Sequence, residues 1–303
     1  MSCSNAPKSA PLGSRPRVLA RRSLSARQPA RDPKGADSGA LAVGTFRSVV
    51  WGYWKKEGRH DLPWRKTRDP YRILVSEMML QQTQVPRVIE KYEEFLRAFP
   101  TIHALAEASL AEVLRVWGGL GYNRRAKYVR EIARGIMTRH AGGVPREYDA
   151  LRVFPGIGDY TARAVRVFAF NEPDVLIETN VRTALIYHFF SHVPLIRDGA
   201  LWEYVKKVAA GQDPRMWHWA LMDYGTHLKR SGIKLNARRK GYVKQSRFEG
   251  SLRQVRGAIL RELRQGPSLV RGLPFGDEKI ANALTSLACD GLIVREGNLW
   301  RVA

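Results

Sequence analysis

Apolar residues recur at intervals of three and four positions from Leu41 to about Arg230, which is the spacing of one face of an α-helix. Phe46, Val50 and Trp54 show the pattern in the first such segment. Short polar connections separate the segments, and none before residue 230 has the strict alternation of a half-buried strand. The pattern therefore predicts an all-α domain over residues 41–230.

The last section of the chain has a different pattern. Ser251 to Leu263 and Asp277 to Asp290 are predicted as helices, and residues 291–302 as two short strands around a Gly-Asn turn. This order predicts a small winged-helix-like α+β domain over residues 251–303. The sequence leaves open whether that domain contacts DNA or only caps the protein.

Two segments lack a sustained apolar period. Residues 1–40 are rich in Arg, Ser, Pro and Ala and are predicted to form a disordered basic arm. A solvated tail, an organelle transit peptide and a source of non-specific phosphate contacts are alternative roles for this arm. Residues 231–250 are strongly basic and contain turn-forming residues, which predicts a linker suited to contact with DNA.

The net charge of the chain indicates which class of partner it binds. The chain has 51 Lys and Arg residues against 28 Asp and Glu residues, a formal net charge of +23. This excess indicates a polyanionic partner, and a phosphate backbone is the first candidate. There is no apolar run of ~18 residues and no signal-peptide pattern. We expect a soluble monomer, cytoplasmic and nucleoid-associated if bacterial, with organelle targeting by the arm as an alternative.

The stretch Ser76–Val85 carries the first candidate for chemistry. It follows Asp69 and Pro70, which predict a capped helix start, and the helix is expected to run over residues 70–82. Glu77 lies among apolar neighbours there, and desolvation would raise its pKa to a range that suits a general acid or base. The alternative is a half-buried glutamate paired with an arginine.

Residues 151–162 predict a helix-hairpin-helix. Gly156 and Gly158 permit close approach of the backbone to a phosphate, and the free N–H groups of a helix that begins at about Asp159 would point at the anion. An ordinary glycine turn between two helices is the alternative.

A second carboxylate, Glu178, follows a short apolar run and precedes a helix that Thr179 or Asn180 could cap. A carboxylate at this position could simply stabilise the helix dipole. Together with Glu77 it could instead flank a glycosidic bond, with one group donating a proton and the other stabilising an oxocarbenium-like centre.

These motifs together resemble the helix-hairpin-helix-GPD superfamily of base-excision DNA glycosylases, and within it the MutY-type adenine glycosylases, over about residues 44–230. The resemblance implies a two-lobed helical fold. It is carried by Leu62-Pro63-Trp64-Arg65, Pro70-Tyr71, the Ser76–Val85 stretch, Trp117-x-Gly119-Leu120-Gly121-Tyr122 and Pro155-Gly156-Ile157-Gly158.

The resemblance implies catalytic roles for particular residues. Glu77 matches the group that protonates the departing adenine and then helps to activate water. Glu178 and Asn180 stand where the family has Asp-Gly-Asn, so Glu178 is the expected electrostatic stabiliser, and Asn180 with Tyr160 is expected to position the site. Tyr160 replaces the Schiff-base lysine of bifunctional relatives, which implies hydrolysis without a lyase step because a phenol cannot form an imine.

The resemblance also implies a flipped base and a set of DNA contacts. Gln82 and Tyr122 match residues that wedge into the base stack. The predicted DNA-binding residues are Gln81, Gln82, Thr83, Tyr122, Arg65, Gly156, Gly158, Asp159 and Thr161.

The expected cofactor content differs from the family's. The family usually holds a [4Fe-4S] cluster on four cysteines after a segment that here reads Met222-Asp223-Tyr224-Gly225, but this chain has only Cys3 and Cys289, so we expect no cluster. Cys289 is interpreted as a small core residue. A monovalent cation on the hairpin carbonyls remains a candidate.

The expected activity is removal of adenine opposite 8-oxoguanine or guanine from double-stranded DNA. Excision of thymine, uracil or another lesion, and lesion binding by a catalytically degenerate scaffold, are the alternatives.

Overall fold

The computed structural model describes residues 36–238 and 247–303. In these ranges the chain is mainly helical, and its two described strands lie at the C-terminal end. The helices are α1 (Ala36–Glu57), α2 (Pro70–Leu80), α3 (Val85–Ala98), α4 (Ile102–Glu107), α5 (Leu110–Val116), α6 (Arg124–His140), α7 (Tyr148–Arg152), α8 (Asp159–Phe170), α9 (Thr179–Phe189), α10 (Asp198–Ala209), α11 (Pro214–Arg230), α12 (Leu252–Leu263) and α13 (Asp277–Cys289). The strands are β1 (Ile293–Glu296) and β2 (Leu299–Val302), and 3₁₀ turns span Pro63–Arg65 and Asn236–Arg238.

Side-chain caps fix several helix starts. The Asp69 carboxylate accepts the N–H of Tyr71 at 2.9 Å, and Pro70 supplies a preset backbone angle at the first helical position of α2. Asp213 and Pro214 begin α11 in the same way. These caps satisfy amide donors that a helix leaves unpaired at its N-terminus.

The helices before residue 231 pack in two groups. In the first group α2 packs against α3, α6 and α8, while α4 and α5 pack on α6. In the second group α11 packs along α9 and against α1, and α10 contacts both α1 and α9. Phe46, Val50 and Trp54 are buried on α1, as their spacing predicts. Glu77 belongs to the first group and Glu178 to the second.

The C-terminal segment contains the predicted helices and hairpin. Helices α12 and α13 pack together, and β1 pairs antiparallel with β2 so that Ile293 lies opposite Val302. One carboxylate joins this segment to α6: Asp290 contacts the guanidinium groups of Arg124 and Arg256, and its carbonyl accepts Lys127 Nζ at 2.9 Å. The winged-helix-like character of the segment stays a prediction.

Several boundaries differ from those predicted. Helix α2 ends at Leu80 rather than at residue 82, because Gln81 has a non-helical ψ of 110° and Gln82 has a left-handed φ of 54°. Helix α1 begins at Ala36, so residues 36–40 do not belong to a disordered arm, and the rest of that predicted arm lies outside the described residues.

Two smaller points concern Cys289 and the linker. Cys289 is exposed at the end of α13, so its interpretation as a core residue is wrong. Residues 239–246 of the predicted linker lie outside the described ranges, whereas Arg238 donates to Ser191 O at 2.8 Å and so packs on the helical body.

Within the described ranges, no helix has the length and apolar content needed to cross a membrane.

Candidate active site

Glu77 is a buried carboxyl near the C-terminal end of α2, with only 7% of its surface exposed. Its neighbours Val75, Ser76 and Met78 are also buried, and in the described part of the chain no group donates a hydrogen bond to its carboxyl. Burial, followed by the charge of Glu178, raises the pKa of Glu77 to about 8, against a smaller opposing effect of Arg65. Glu77 therefore carries a proton at neutral pH and can donate it.

Glu178, unlike Glu77, accepts hydrogen bonds from backbone N–H groups. It caps α9, where its Oε1 accepts the N–H groups of Asn180 at 2.7 Å and Val181 at 2.8 Å. Burial raises the pKa of Glu178, but these two hydrogen bonds and the charges of Lys229 and Arg182 oppose the rise. Two backbone hydrogen bonds and two cations therefore favour the charged form of Glu178, and Glu77 accepts no such hydrogen bonds from the described residues.

The capping role corrects a detail of the sequence interpretation. Neither Thr179 nor Asn180 caps the helix, because α9 already includes both residues. The longer glutamate side chain folds back over the first turn and takes its free donors.

Tyr160 and Asn180 complete the site. Tyr160 lies in the first turn of α8, and burial together with the charges of Glu77 and Glu178 raises the pKa of its phenol well above the ordinary value. Asn180 Nδ2 donates to Glu178 Oε2 at 3.1 Å. The structure thus brings the predicted catalytic residues together from α2, α8 and the start of α9.

Gly225 and Lys229 on α11 also belong to this region. A Cβ atom on Gly225 would lie 2.0 Å from the backbone oxygen of Asn180, so only glycine permits this approach of α11 to α9. One turn later, Lys229 Nζ donates to Asn180 Oδ1 at 3.1 Å. The sequence interpretation gave neither residue a role, because their contacts with Asn180 join positions far apart in the sequence.

The hairpin between α7 and α8 has the predicted form. Gly156 has a φ of 79°, and a Cβ atom there would lie 2.6 Å from the Tyr128 ring. Gly158 is extended and precedes α8, where no side chain caps the first turn. Free N–H groups at an uncapped helix start suit an anion such as a phosphate.

The polar residues of the hairpin region are largely engaged within the protein. Asp159 accepts hydrogen bonds from Tyr148 at 2.7 Å and Arg163 at 3.0 Å. Thr161 Oγ1 accepts Gln81 Nε2 at 3.1 Å, and the same amide nitrogen donates to Gly156 O at 3.2 Å. The Gln81 amide therefore joins the end of α2 to the hairpin, an internal role that the prediction of a DNA contact did not include.

Arg125 organises the turn after α2. Its buried guanidinium donates to the carbonyls of Met78, Met79 and Gln81 at 2.8, 2.8 and 2.6 Å. It also donates to Gly121 O at 3.0 Å, and to Thr83 Oγ1 at 2.9 Å. Thr83, predicted to contact DNA, is thus held by this internal network.

Gln82 and Tyr122 face a common groove of about 340 Å³. Both have left-handed backbone angles, 54° and 48°, which set them apart from the adjoining helices. Arg253 of α12 also lines the groove and donates to the Tyr122 hydroxyl at 2.9 Å. The two residues predicted to wedge into DNA are therefore on one surface, beside the C-terminal segment.

Arg65, predicted to contact DNA, has its side chain packed inside the protein. The residue is 8% exposed, and its guanidinium makes two hydrogen bonds to Asp223, at 2.7 and 3.0 Å. It also lies over the rings of Trp54 and Trp219. The Arg65 guanidinium is thus paired with Asp223. The alternative interpretation, in which Glu77 is half-buried and paired with an arginine, therefore does not describe this arginine.

The residues present do not fit an iron-sulfur cluster of the family's kind. Such a cluster needs thiolate ligands, and the only cysteines in the whole sequence are Cys3 and Cys289. Cys289 lies on α13 in the C-terminal segment rather than after α11. The absence of the cluster stays a prediction, as does the cation at the hairpin.

Comparison with known proteins defines the class. Residues 75–230 match the HhH-GPD superfamily of base excision DNA repair proteins, and the chain belongs to this family. It is 35% identical over 277 residues to an adenine DNA glycosylase of Mycolicibacterium smegmatis, a match that covers 79% of this chain and 90% of that protein. It is 47% identical over 130 residues to an adenine DNA glycosylase of Mycobacterium tuberculosis, which covers 43% of each chain.

A solved structure extends the comparison to the fold. A thermostable thymine-DNA glycosylase superposes with a TM-score of 0.55 at 28% identity, over 62% of this chain and 88% of that one. These matches confirm the resemblance and the helical glycosylase fold that the sequence predicts.

Proposed function

We propose that the protein is a monofunctional DNA glycosylase of base excision repair, which hydrolyses the N-glycosidic bond of a flipped adenine mispaired with 8-oxoguanine or guanine. The observation that carries this proposal is the unequal pair of carboxyls: burial raises the pKa of Glu77 to about 8, whereas Glu178 accepts two backbone hydrogen bonds that favour its charged form. Similarity to two adenine DNA glycosylases supports the choice of base.

The two carboxyls have different roles in the proposed reaction. Glu77 donates its proton to the adenine as the bond to C1′ breaks and the bonding electrons leave with the base. The Glu178 carboxylate stabilises the positive charge that develops on the sugar. Water then attacks C1′, and its proton passes to the Glu77 carboxylate, which restores the starting state.

The surrounding groups fit this scheme. Tyr160 lies beside both carboxyls and has no amine, which supports hydrolysis without formation of an imine. The uncapped start of α8 offers N–H donors to a phosphate of double-stranded DNA, and Gln82 and Tyr122 stand ready to fill the gap left by a flipped base. We expect the protein to act as a monomer.

A second candidate base is thymine or uracil opposite guanine. The superposition on a thymine-DNA glycosylase favours this alternative, since a shared scaffold can serve different bases. Binding without catalysis is less well supported, because a buried carboxyl without a hydrogen-bond donor is costly to retain for binding alone.

A panel of duplexes with one lesion each tests the proposal, with alkali-sensitive abasic sites as the readout. We expect cleavage of adenine opposite 8-oxoguanine or guanine, no cleavage by Glu77→Gln, and unchanged duplex affinity of that variant. Glu90→Gln, which removes an exposed carboxylate from α3, is the matched control and should behave as wild type. Turnover on thymine or uracil alone would move the assignment to the second candidate, and activity of Glu77→Gln would refute the role of Glu77.

A further inference from the structure

The last turn of α11 brings an ammonium group to the carboxylate end of the active site. Lys229 Nζ donates to Asn180 Oδ1 at 3.1 Å, and Asn180 Nδ2 donates to Glu178 Oε2 at 3.1 Å. Asn180 also donates its backbone N–H to Glu178 Oε1 at 2.7 Å. The amide of Asn180 therefore links the amine of Lys229 to the anion of Glu178.

Backbone packing makes this reach possible. Gly225 lies one turn before Lys229 on the same face of α11, and its missing Cβ allows that face to touch the Asn180 backbone. Helix α11 thereby sets both the position of Asn180, through Gly225, and the orientation of its side chain, through Lys229.

The chemistry of the three groups permits one arrangement of the amide. An ammonium group can only donate, and an ionised carboxylate can only accept. The Asn180 oxygen must therefore face Lys229 and its nitrogen must face Glu178. Without the lysine, the amide could rotate and present its oxygen to the carboxylate, which would repel it.

The other charged groups near Glu178 do not duplicate this role. Arg182 on α9 pairs with Asp198 at 3.2 Å, while Glu77 on α2 and Tyr160 on α8 can add only neutral or negative charge. Lys229 on α11 is the cation that is hydrogen-bonded into the Asn180–Glu178 pair.

We propose that Lys229 is a positioning residue of the active site, which fixes the amide orientation of Asn180 and thereby holds the Glu178 carboxylate in place for catalysis. This inference rests on the proposed glycosylase function for its catalytic part. Its electrostatic part, the interaction of Lys229 with Glu178, is a property of the folded protein and can be tested without any activity.

Single-turnover kinetics on the duplex that wild type cleaves test the catalytic part, from about pH 5 to about pH 9. Lys229→Met should react about tenfold to a hundredfold more slowly at neutral pH, because a misplaced catalytic group costs rates of that order. Its acidic limb should move to higher pH, since Glu178 would ionise less readily. Lys229→Arg should restore most of the rate and the position of that limb.

The matched control is Arg230→Met, which removes the same charge from the adjacent exposed position of α11. Both variants should lose similar affinity for the phosphate backbone, so only the rate and the pH profile separate them. If Lys229→Met and Arg230→Met have the same rate and the same acidic limb, the proposal is wrong.

Urea unfolding decides the electrostatic part even if no duplex is cleaved. Because Lys229 stabilises the charged form of Glu178, Lys229→Met should have a lower midpoint than Arg230→Met at about pH 8. At about pH 4, Glu178 is protonated and this difference should shrink. A difference that is equal at both pH values would overturn the proposal, whereas a wild type without turnover would overturn only the proposed function.

Discussion

The end of α2 and the start of α9 each bring a glutamate to the same site, but the two helices surround the two carboxyls differently. Glu77 lies within a helix whose amides are already paired, so no N–H group is available to its carboxyl. Glu178 precedes a helix and receives the donors that the first turn leaves free. Position relative to a helix start therefore decides which carboxyl receives backbone hydrogen bonds.

Glu178→Gln should remove the difference between the two carboxyls and have the largest effect on the reaction rate. The amide can still accept hydrogen bonds from α9 but carries no charge, so we expect the single-turnover rate to fall by about a thousandfold, or about 4 kcal/mol. Loss of the Glu178 charge should also lower the pKa of Glu77, because that charge contributes to its rise. The alkaline limb of the pH–rate profile would then move to lower pH, and an unmoved limb would show that the carboxyls are not coupled.

The pH dependence of stability isolates Glu77. Its pKa is about 8 in the folded protein against an ordinary value of 4.5, so the folded state retains a proton that the unfolded state has released between these pH values. Glu77 therefore contributes a decrease in the free energy of unfolding as the pH rises from about 4.5 to about 8. Glu77→Gln should remove this contribution, so that its stability relative to wild type rises by about 1.4 kcal/mol for each pH unit within that window. Urea titrations at several pH values would measure it, and a constant difference between the two proteins would contradict it.

Gly225→Ala should disturb Glu178 while leaving Glu77 in place. The added methyl group meets the Asn180 backbone at 2.0 Å, so α9 and α11 must separate, at an expected loss of about 2 kcal/mol in the free energy of unfolding. Gly52→Ala on α1, where a Cβ atom meets no neighbour within 4 Å, is the control and should not destabilise. Thermal melts of the two variants give the comparison, and equal melting temperatures would exclude the close approach.

Glu178→Asp should have the smallest effect. Aspartate is among the preferred residues before a helix start and keeps the charge, so we expect a rate within about tenfold of wild type, less than about 1.4 kcal/mol. An inactive variant would show that the longer side chain is required to place the charge. Single-turnover rates at neutral pH provide the measurement.

Much of the helical frame could be predicted from local patterns. The spacing of Phe46, Val50 and Trp54 identifies a core face, and Asp69 with Pro70 identifies a helix start, because both signals act within a few residues. The end of α2 was placed two residues too late, since the left-handed angle of Gln82 depends on the turn that Arg125 holds from another helix.

The site was predictable in its residue types but not in its partners. Glu77 stands out as a carboxyl in an apolar run, and Glu178 as a carboxyl before a helix. The pairing of Arg65 with Asp223 and of Lys229 with Asn180 joins positions far apart in sequence, and no local pattern encodes such contacts. Arg65 was consequently assigned to DNA although it is buried, and Lys229 received no role.

The buried guanidinium of Arg125 has a mechanical consequence. Gln82 and Tyr122 lie on separate segments, but one side chain ties the carbonyls before Gln82 to the carbonyl of Gly121, which precedes Tyr122. One guanidinium therefore holds the two segments together and fixes the spacing between Gln82 and Tyr122. The entropic cost of aligning these residues is incurred on folding, so it does not add to the cost of binding a partner at this surface.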